Sequence, residues 1–186
     1  HEANELHGPD ALECLHGKIL EEVKKQSSNY EHYRYFWGAP YQSFHTLNVY
    51  GSRETEKRYA IYELDELLSP SDEILDLGCN CGFLSIYAAY RTGCSAHGID
   101  VNEYMINIGK HCAKHLGLCQ KVKLETVSID DFTPSKQYSV IFSLAAHWTI
   151  DQRHRPDLRE YLLKMHSMLR PKGKLLFERF HTVDQK

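Results

Sequence analysis

The sequence of 186 residues lacks a long apolar run, and no stretch approaches the roughly 20 consecutive apolar residues of a membrane-spanning helix. No signal peptide is visible near the amino-terminal end. The six cysteines do not form the disulfide framework of a small secreted protein, and two of them lie in a single loop. We therefore expect no membrane partner and a reducing, cytoplasmic location.

A metal site also has little support in the sequence. His111, His115 and Cys119 are spaced by four residues, which would place them on one face of a continuing helix. Gly117 is expected to end that helix, however, and no second pair of ligands with finger-like spacing occurs. We predict no bound metal.

One stretch near the middle of the chain carries the clearest pattern. Residues 74–77 form an apolar run typical of a strand that is buried on both faces. The strand includes Asp76 near its end, and Gly78 and Gly82 then separate it from an apolar helical segment at 83–89. Because glycine lets the backbone turn sharply and lets a ligand approach the main chain, this order is typical of a nucleotide-binding unit. The spacing is neither Gly-x-Gly-x-x-Gly nor a Gly-Lys-Ser/Thr phosphate loop.

A second predicted strand, residues 96–100, ends in Asp100, about 20 residues after the glycine loop. An acid at this position can accept hydrogen bonds from both hydroxyls of a ribose. The segments Leu75-Asp76-Leu77-Gly78-Cys79-Asn80-Cys81-Gly82 and Gly98-Ile99-Asp100-Val101-Asn102 together resemble the class I S-adenosylmethionine-dependent methyltransferases, over about residues 56–180. The alternative is a doubly wound domain that binds another adenosine ligand or none.

The resemblance implies a site for S-adenosylmethionine and for its product, S-adenosylhomocysteine. Gly78, Cys79 and Gly82 would approach the methionine and ribose portions of the cofactor, Asp76 would order their loop, and Asp100 would bind the ribose. The other cofactor-binding candidates are Asn80, Val101, Asn102, Ile129, Asp130 and Ser143.

The adenine side departs from the family's common pattern. Where the family often has an acid after the third strand, this sequence has Ser128, with Asp130 two residues later. Either residue could receive the adenine amino group, and we favour Asp130 together with the backbone near Ile129.

The loop after the fourth predicted strand, residues 138–144, would face the transferred methyl group. Its Ser-Leu-Ala-Ala sequence differs from the Asn/Asp-Pro-Pro-Tyr/Phe of the enzymes that methylate nucleobase or glutamine amide nitrogens. His147 is predicted as a general base, with a structural histidine as the alternative. Trp148 is predicted to contact the substrate or the sulfonium, with a place in the core as its alternative.

We predict an α/β doubly wound fold with a mainly parallel sheet of strand order 3-2-1-4-5 and helices on both faces. Residues 1–55 would form a helical and aromatic cap, and residues 56–186 the core of one compact domain. The aromatic rings of the cap either close the site against water or cover the edge of the core. Tyr41 and Arg53 are predicted to contact the substrate, and Arg53 or Arg58 could instead bind the methionine carboxylate.

Several boundaries are predicted from local patterns. Helices are expected at 11–23, 54–68, 102–116 and 157–169, with Ser52 as the N-cap of the second and with a polar loop at 26–29. A turn at 170–173 leads into a fifth strand at 174–178. The family's final helix and antiparallel strand pair have no counterpart, so the chain would be a reduced form or one piece of a longer protein.

The predicted reaction is methyl transfer from S-adenosylmethionine to a small-molecule or sugar acceptor, at oxygen or nitrogen. Residues 151–186 carry nine basic and five acidic side chains, a net charge of +4, which keeps an RNA acceptor open. The rest of the chain carries 13 basic and 20 acidic side chains, a net charge of −7. From another class, the chain could be a non-catalytic cofactor-binding module of a larger protein.

Overall fold

The computed structural model describes residues 8–29, 40–147 and 157–178. A five-stranded parallel sheet lies at its centre, in the order β5-β4-β3-β6-β7. The elements in chain order are α1 (Pro9–Asn29), β1 (Gln42–Ser43), a 3-10 turn (His45–Leu47), β2 (Arg53–Glu54), α2 (Thr55–Ile61), α3 (Leu64–Leu67), β3 (Glu73–Leu77), α4 (Phe83–Thr92), β4 (Ser95–Asp100), α5 (Glu103–His115), β5 (Val122–Thr126), β6 (Tyr138–Leu144), α6 (Leu158–Met168) and β7 (Leu169–Glu178). Counted within this sheet, the order is 3-2-1-4-5, so the predicted fold class is confirmed.

The central strand β3 explains the apolar run in the sequence. It pairs in parallel with β4 on one side and with β6 on the other, and its side chains meet two hydrophobic clusters. Ile74 belongs to the cluster that also holds residues of α1, α4 and α5. Leu75 and Leu77 belong to the cluster on the opposite face, with Tyr161 and Met165 of α6. Burial on both faces is the reason for a strand without polar alternation.

The chain reverses its direction of travel across the sheet between β5 and β6. The strands on either side of that switch, β3 and β6, are adjacent, with Asp76 in register with Phe142. In sheets of this kind, ligands bind outside the carboxyl ends of the strands at the switch. The loops after β3, β4 and β6 all lie at this edge.

The N-terminal helix α1 packs against α5 and contributes Leu12, Leu15, Ile19 and Val23 to the first cluster. The helix runs through residues 26–29, so the prediction of a loop there was wrong. The hydroxyl groups of the two serines in that stretch donate to the carbonyl oxygens of Val23 and Lys24, which satisfies them within the helix. The division into a cap and a core at residue 55 stays a prediction.

Two further boundaries differ from those predicted. The helix expected at 54–68 is broken into α2 and α3, because Glu63 adopts the left-handed conformation with φ 52°. Glu54, not Ser52, is the N-cap of α2, and the Ser52 hydroxyl donates instead to the Tyr41 carbonyl oxygen at 3.3 Å. The predicted turn at 170–173 lies within β7 as an irregularity, where Tyr138 and Val140 of β6 are in register with Leu169 and Lys174.

Within the residues that the structure describes, no helix combines the length and the apolar character needed to cross a membrane. The same residues contain no group of three or more His, Cys, Asp or Glu side chains arranged to hold a metal ion. Of the three residues considered as metal ligands, His111 and His115 lie on α5 and Cys119 lies after it. Gly117 follows the end of that helix with φ +69°.

Candidate active site

The glycine loop between β3 and α4 reverses its direction through three left-handed residues. Gly78, Asn80 and Gly82 have φ values of 68°, 57° and 67°. A Cβ atom on Gly78 would lie 2.9 Å from the Cβ of Ala146, so the loop after β6 packs directly against this glycine. The Cys79 amide donates to the Ile99 carbonyl oxygen at 2.9 Å, which ties the loop to β4.

Asp100 joins the glycine loop to the start of α5. Its Oδ2 accepts a hydrogen bond from the Asn80 amide at 2.8 Å, and its Oδ1 accepts one from the Asn102 amide at 2.9 Å. The side chain is only half-buried. Each carboxylate oxygen can accept more than one hydrogen bond, which is the property that binding of a ribose diol by this side chain would use. Val101, between the two anchored residues, is 40% exposed.

Asn102 holds the other end of this arrangement. It is the N-cap of α5, and its Oδ1 accepts hydrogen bonds from the Tyr104 and Met105 amides at 3.1 and 3.2 Å. Its Nδ2 donates to Oε1 of Gln26 in α1 at 3.2 Å, and both side chains are buried. The N-terminal helix is therefore bonded to the residue that supports Asp100.

Asp76 lies beneath the loop and is almost fully buried. Burial raises the pKa of its carboxyl group to about 6, while a hydrogen bond from Ser85 and the nearby Arg58 guanidinium act in the opposite direction. The Ser85 hydroxyl donates to Oδ2 at 2.6 Å, which connects the end of β3 to the first turn of α4. The position and contacts of Asp76 suit the predicted role of ordering the loop.

The cysteines of the loop are packing residues in this structure. Cys79 and Cys81 are buried, and burial raises the pKa of both thiols well above the ordinary value. The Cys81 thiol donates to the sulfur of Met105 at 3.4 Å. All six cysteines of the chain are free thiols. A thiol held in its neutral form is a weak nucleophile, so these groups contribute shape to the loop rather than reactivity.

Two residues that contact the glycine loop were not identified from the sequence. The side-chain amide of Gln42 donates to the Cys79 carbonyl oxygen and accepts from the Phe83 amide, both at 3.2 Å. Gly109 of α5 allows that helix to approach, since a Cβ there would lie 2.0 Å from the Cys81 carbonyl oxygen. A glycine in the middle of a predicted helix was a usable signal. Nothing in the local sequence pointed to Gln42.

The loop after β5, which is predicted to meet the adenine, is held by hydrogen bonds within the loop and from α6. Ser128 is buried, and its hydroxyl donates to Oδ2 of Asp131 at 2.6 Å. The side chain of Asp130 is exposed. Lys164 of α6 donates to the carbonyl oxygens of Ile129 and Asp130 at 2.6 and 3.2 Å. The contact with Lys164 fixes the backbone that was predicted to meet the adenine.

The loop after β6 begins with Ala145, which has the left-handed φ of 66°. His147 is 6% exposed, and its ring centroid lies 4.8 Å from that of Tyr161. The Tyr161 hydroxyl is bonded to the hydroxyl of Ser143 at 2.9 Å, and burial raises the pKa of Tyr161 to about 12. Ser143 is fully buried, and its hydroxyl oxygen is hydrogen-bonded to Tyr161 of α6. Trp148 lies outside the described residues.

Tyr41 and Arg53, the other predicted substrate residues, belong to one polar network. The Arg53 guanidinium donates to Oε2 of Glu178 at 2.6 Å and to the Tyr41 hydroxyl oxygen at 3.3 Å. The Tyr62 hydroxyl donates to the same Glu178 oxygen at 3.0 Å. The Ala145 amide donates to the Glu178 backbone carbonyl at 3.0 Å, which places the network at the carboxyl edge beside the loop after β6. Sequence reasoning missed Glu178 and Tyr62.

The geometry can be compared with known proteins. A family model described as a methyltransferase domain matches residues 74–173, which include the glycine loop, Asp100 and the strand β6. The chain belongs to this methyltransferase family. The family predicted from the glycine loop and Asp100 is therefore confirmed.

Curated relatives of the chain include proteins named for several acceptors. It is 27% identical to a sterol 24-C-methyltransferase of Eremothecium gossypii, over 76% of this chain and 37% of that protein. It is 28% identical to methyltransferase GfsG of Streptomyces halstedii, over 77% of this chain and 48% of that protein. It is 27% identical to a geranyl diphosphate 2-C-methyltransferase of Streptomyces lasalocidi, over 64% of this chain and 39% of that protein. The chain thus spans less than half the length of these relatives.

Solved structures show the same fold. An S-adenosylmethionine-dependent methyltransferase from Thiobacillus denitrificans, in complex with S-adenosylhomocysteine, superposes with a TM-score of 0.56 at 21% identity, over 64% of this chain and 46% of that chain. A geranyl diphosphate methyltransferase in complex with GPP and sinefungin superposes with a TM-score of 0.53 at 23% identity, over 64% of this chain and 43% of that chain.

Proposed function

We propose that the chain binds S-adenosylmethionine and transfers its methyl group to a small-molecule acceptor, leaving S-adenosylhomocysteine. The observation that carries this proposal is the Asp100 carboxylate, which bridges the glycine loop and the start of α5 and remains half-buried at the carboxyl edge of the sheet. The methyl group of a sulfonium is already activated for displacement. The protein therefore has to align the two reactants and exclude water.

Each part of the cofactor has a candidate partner. The backbone of residues 78–82 would meet the methionine and ribose portions, Asp100 the ribose hydroxyls, and the backbone near Ile129 and Asp130 the adenine. For the methionine carboxylate we favour Arg58 over Arg53. Arg53 is paired with Glu178, whereas the Arg58 guanidinium is close enough to lower the pKa of Asp76 beneath the loop. The buried Nε of Arg58 has no hydrogen-bond partner among the described residues.

The acceptor is proposed to be a small molecule, at oxygen, nitrogen or carbon. Carbon joins the sequence-based candidates because two of the relatives are named as carbon methyltransferases, acting on a sterol and on geranyl diphosphate. His147 is retained as the proposed base for an oxygen or nitrogen acceptor. In this structure the His147 ring is buried against Tyr161. For His147 to act as a base, the loop after β6 would have to open toward the acceptor.

An RNA acceptor is less well supported, because cations of the basic C-terminal third have partners inside the protein. Lys164 donates to two carbonyl oxygens after β5, and Lys174 donates to the Leu67 carbonyl oxygen at 2.8 Å. Arg170 is paired with Glu73. These three cations are already engaged by groups of the same chain, so the positive charge of residues 151–186 is in part structural.

The test is calorimetric titration with S-adenosylhomocysteine. We expect micromolar binding to the wild type, and a loss of about 1–3 kcal/mol in Asp100→Ala, as for a charged hydrogen bond. Asp10→Ala, which removes an exposed carboxylate from α1, is the matched control and should bind as the wild type does. An intact wild-type fold that fails to bind would overturn the proposal.

Transfer of labelled methyl groups to a panel of a sterol, a prenyl diphosphate, a sugar and an RNA would then identify the acceptor class. Cofactor binding without turnover on any of them would favour the alternative, a non-catalytic module of a larger protein.

A further inference from the structure

The segment of residues 40–54, here called the strap, contains β1, the 3-10 turn and β2 and contacts the glycine loop through Gln42. We propose that Gln42 of the strap is a positioning residue that holds the glycine loop in the shape required for S-adenosylmethionine. The inference rests on the proposed function, because it concerns how that same cofactor site is kept in place.

The argument begins with the backbone groups that the loop leaves unpaired. The first amides of a helix have no acceptor within the helix, and a side chain at the N-cap usually provides one. The N-cap of α4 is Gly82, which has no side chain to do so. The Oε1 of Gln42 accepts from the Phe83 amide, the first of the helix, at 3.2 Å. Gln42 therefore acts as a cap supplied from a distant part of the chain.

The same side chain also engages the other end of the loop. Its Nε2 donates to the Cys79 carbonyl oxygen at 3.2 Å, so a single amide spans the backbone from Cys79 to Phe83. A primary amide offers a donor and an acceptor side by side without a charge. Gln42 is 6% exposed, and hydrogen bonds in such a site are costly to lose because water cannot replace them.

The strap is itself held firmly, which gives Gln42 a fixed point from which to act. The Ser52 and Arg53 amides both donate to the Tyr41 carbonyl oxygen at 3.0 Å. Gly51 lets the two short strands meet, since a Cβ there would lie 2.5 Å from the Gln42 carbonyl oxygen. The ring of Phe44 packs against that of Phe83, with centroids 5.3 Å apart.

The test compares Gln42→Leu with the wild type by titration with S-adenosylhomocysteine and by hydrogen exchange at the Phe83 amide. We expect the Kd to rise about tenfold, as for the loss of two buried neutral hydrogen bonds, and the Phe83 amide to exchange faster. Gln42→Asn retains the amide but is too short to span the loop. It should show the same changes, and it serves if the leucine variant does not fold.

Two controls separate positioning from general stability. Gln137→Leu makes the same chemical change at an exposed glutamine whose amide donates to the Ser167 carbonyl oxygen. Leu47→Ala removes buried packing from the strap and leaves the Gln42 amide in place. Both should bind S-adenosylhomocysteine within twofold of the wild type.

A Kd within twofold of the wild type for Gln42→Leu would overturn the proposal, as would an equal loss of affinity in Leu47→Ala. If the wild type does not bind S-adenosylhomocysteine, the proposed function fails, and the exchange rate at Phe83 still decides the role of Gln42. An unchanged rate in Gln42→Leu would show that the strap does not hold the loop.

Discussion

The two halves of the proposed site, one for the cofactor and one for the acceptor, are built in different ways. The cofactor half consists of the glycine loop, Asp100 and the start of α5, and many of its contacts join main-chain groups to residues close by in sequence or on the adjacent strand. The acceptor half consists of the loop after β6 and the network of Tyr41, Arg53 and Glu178, whose central ion pair joins residues 125 positions apart. In the proposed function, the cofactor would be met largely by a loop of fixed backbone geometry, and the acceptor would be met by side chains.

This difference predicts where substitutions should act. Changes in the cofactor half should alter both stability and the affinity for S-adenosylhomocysteine, because the same hydrogen bonds shape the loop and complete the fold. Changes in the acceptor half should leave cofactor affinity unchanged and should affect turnover instead.

The largest effect is expected from Gly109→Ala, at the contact between α5 and the glycine loop. The added Cβ would lie 2.0 Å from the Cys81 carbonyl oxygen, so one backbone must move away from the other. We expect the free energy of unfolding to fall by about 3 kcal/mol or more, together with a loss of affinity for S-adenosylhomocysteine. Urea denaturation and titration measure the two quantities.

The matched control is Gly17→Ala, in the exposed part of α1, where nothing lies within 4 Å of the added Cβ. The same change there should raise stability by about 0.5–1 kcal/mol, because alanine is the better helix former. Effects of the same sign in the two variants would contradict the proposed contact.

The next effect is expected from Asp76→Asn and depends on pH. Burial raises the pKa of Asp76 from 3.8 to about 6, so between about pH 4 and pH 6 the folded protein keeps a proton that the unfolded chain has released. The contribution of this group to the free energy of unfolding is therefore complete at low pH and is lost as the pH rises through that window. At roughly 1.4 kcal/mol per pKa unit, the wild type should lose about 3 kcal/mol of its free energy of unfolding across this window. Asparagine does not titrate, so the variant should not show this loss.

Urea denaturation of both proteins across pH 4–7 makes the measurement. Asp72→Asn gives a control that should show no such loss. Burial opposes the shift there, but hydrogen bonds from Ser139 and Ser69 lower the pKa of Asp72 below its ordinary value of 3.8, so its contribution to the free energy of unfolding changes little across the measured range. A difference between Asp76→Asn and the wild type that stays constant over the whole range would contradict the raised pKa of Asp76 in the folded protein.

The smallest effect on stability is expected from Arg53→Met in the acceptor half. The side chains of Arg53 and Glu178 are 18% and 37% exposed, so we expect a cost of less than about 1 kcal/mol. Cofactor affinity should stay within twofold of the wild type, and methyl transfer should fall once an acceptor is known. A double-mutant cycle with Glu178→Gln isolates the interaction energy between Arg53 and Glu178. A loss of cofactor affinity as large as that of Asp100→Ala would abolish the distinction between the halves.

The sequence was most informative where local pattern and backbone geometry decide the structure. The apolar run of β3, the glycines after it and the acid that ends β4 carried the resemblance to the methyltransferase family, and that resemblance implied the strand order seen in the structure. The predicted bounds of β6 at 138–144 agree with the structure.

Features that depend on distant side chains were not predictable in this way. Gln42, Gly109 and Glu178 contact residues that are 28 to 125 positions away, and no local period or spacing marks such partners. The break in the helix at Glu63 is another case, since a left-handed glutamate has no propensity signal of its own. The individual roles assigned to His147, Asp130 and the other site residues stay predictions.

The separation of Arg53 from Glu178 also has a consequence for the timing of events on the ribosome. Synthesis proceeds at about 5–20 residues per second, so roughly 3–13 s pass between the end of α5 and the appearance of Glu178. By the time α5 is complete, the glycine loop, Asp100, Asn102, Gln26 and Gln42 have all been made, and the Asn80 and Asn102 amides that donate to Asp100 exist in the nascent chain. Arg53 is made early but obtains its carboxylate only with the last strand of the sheet.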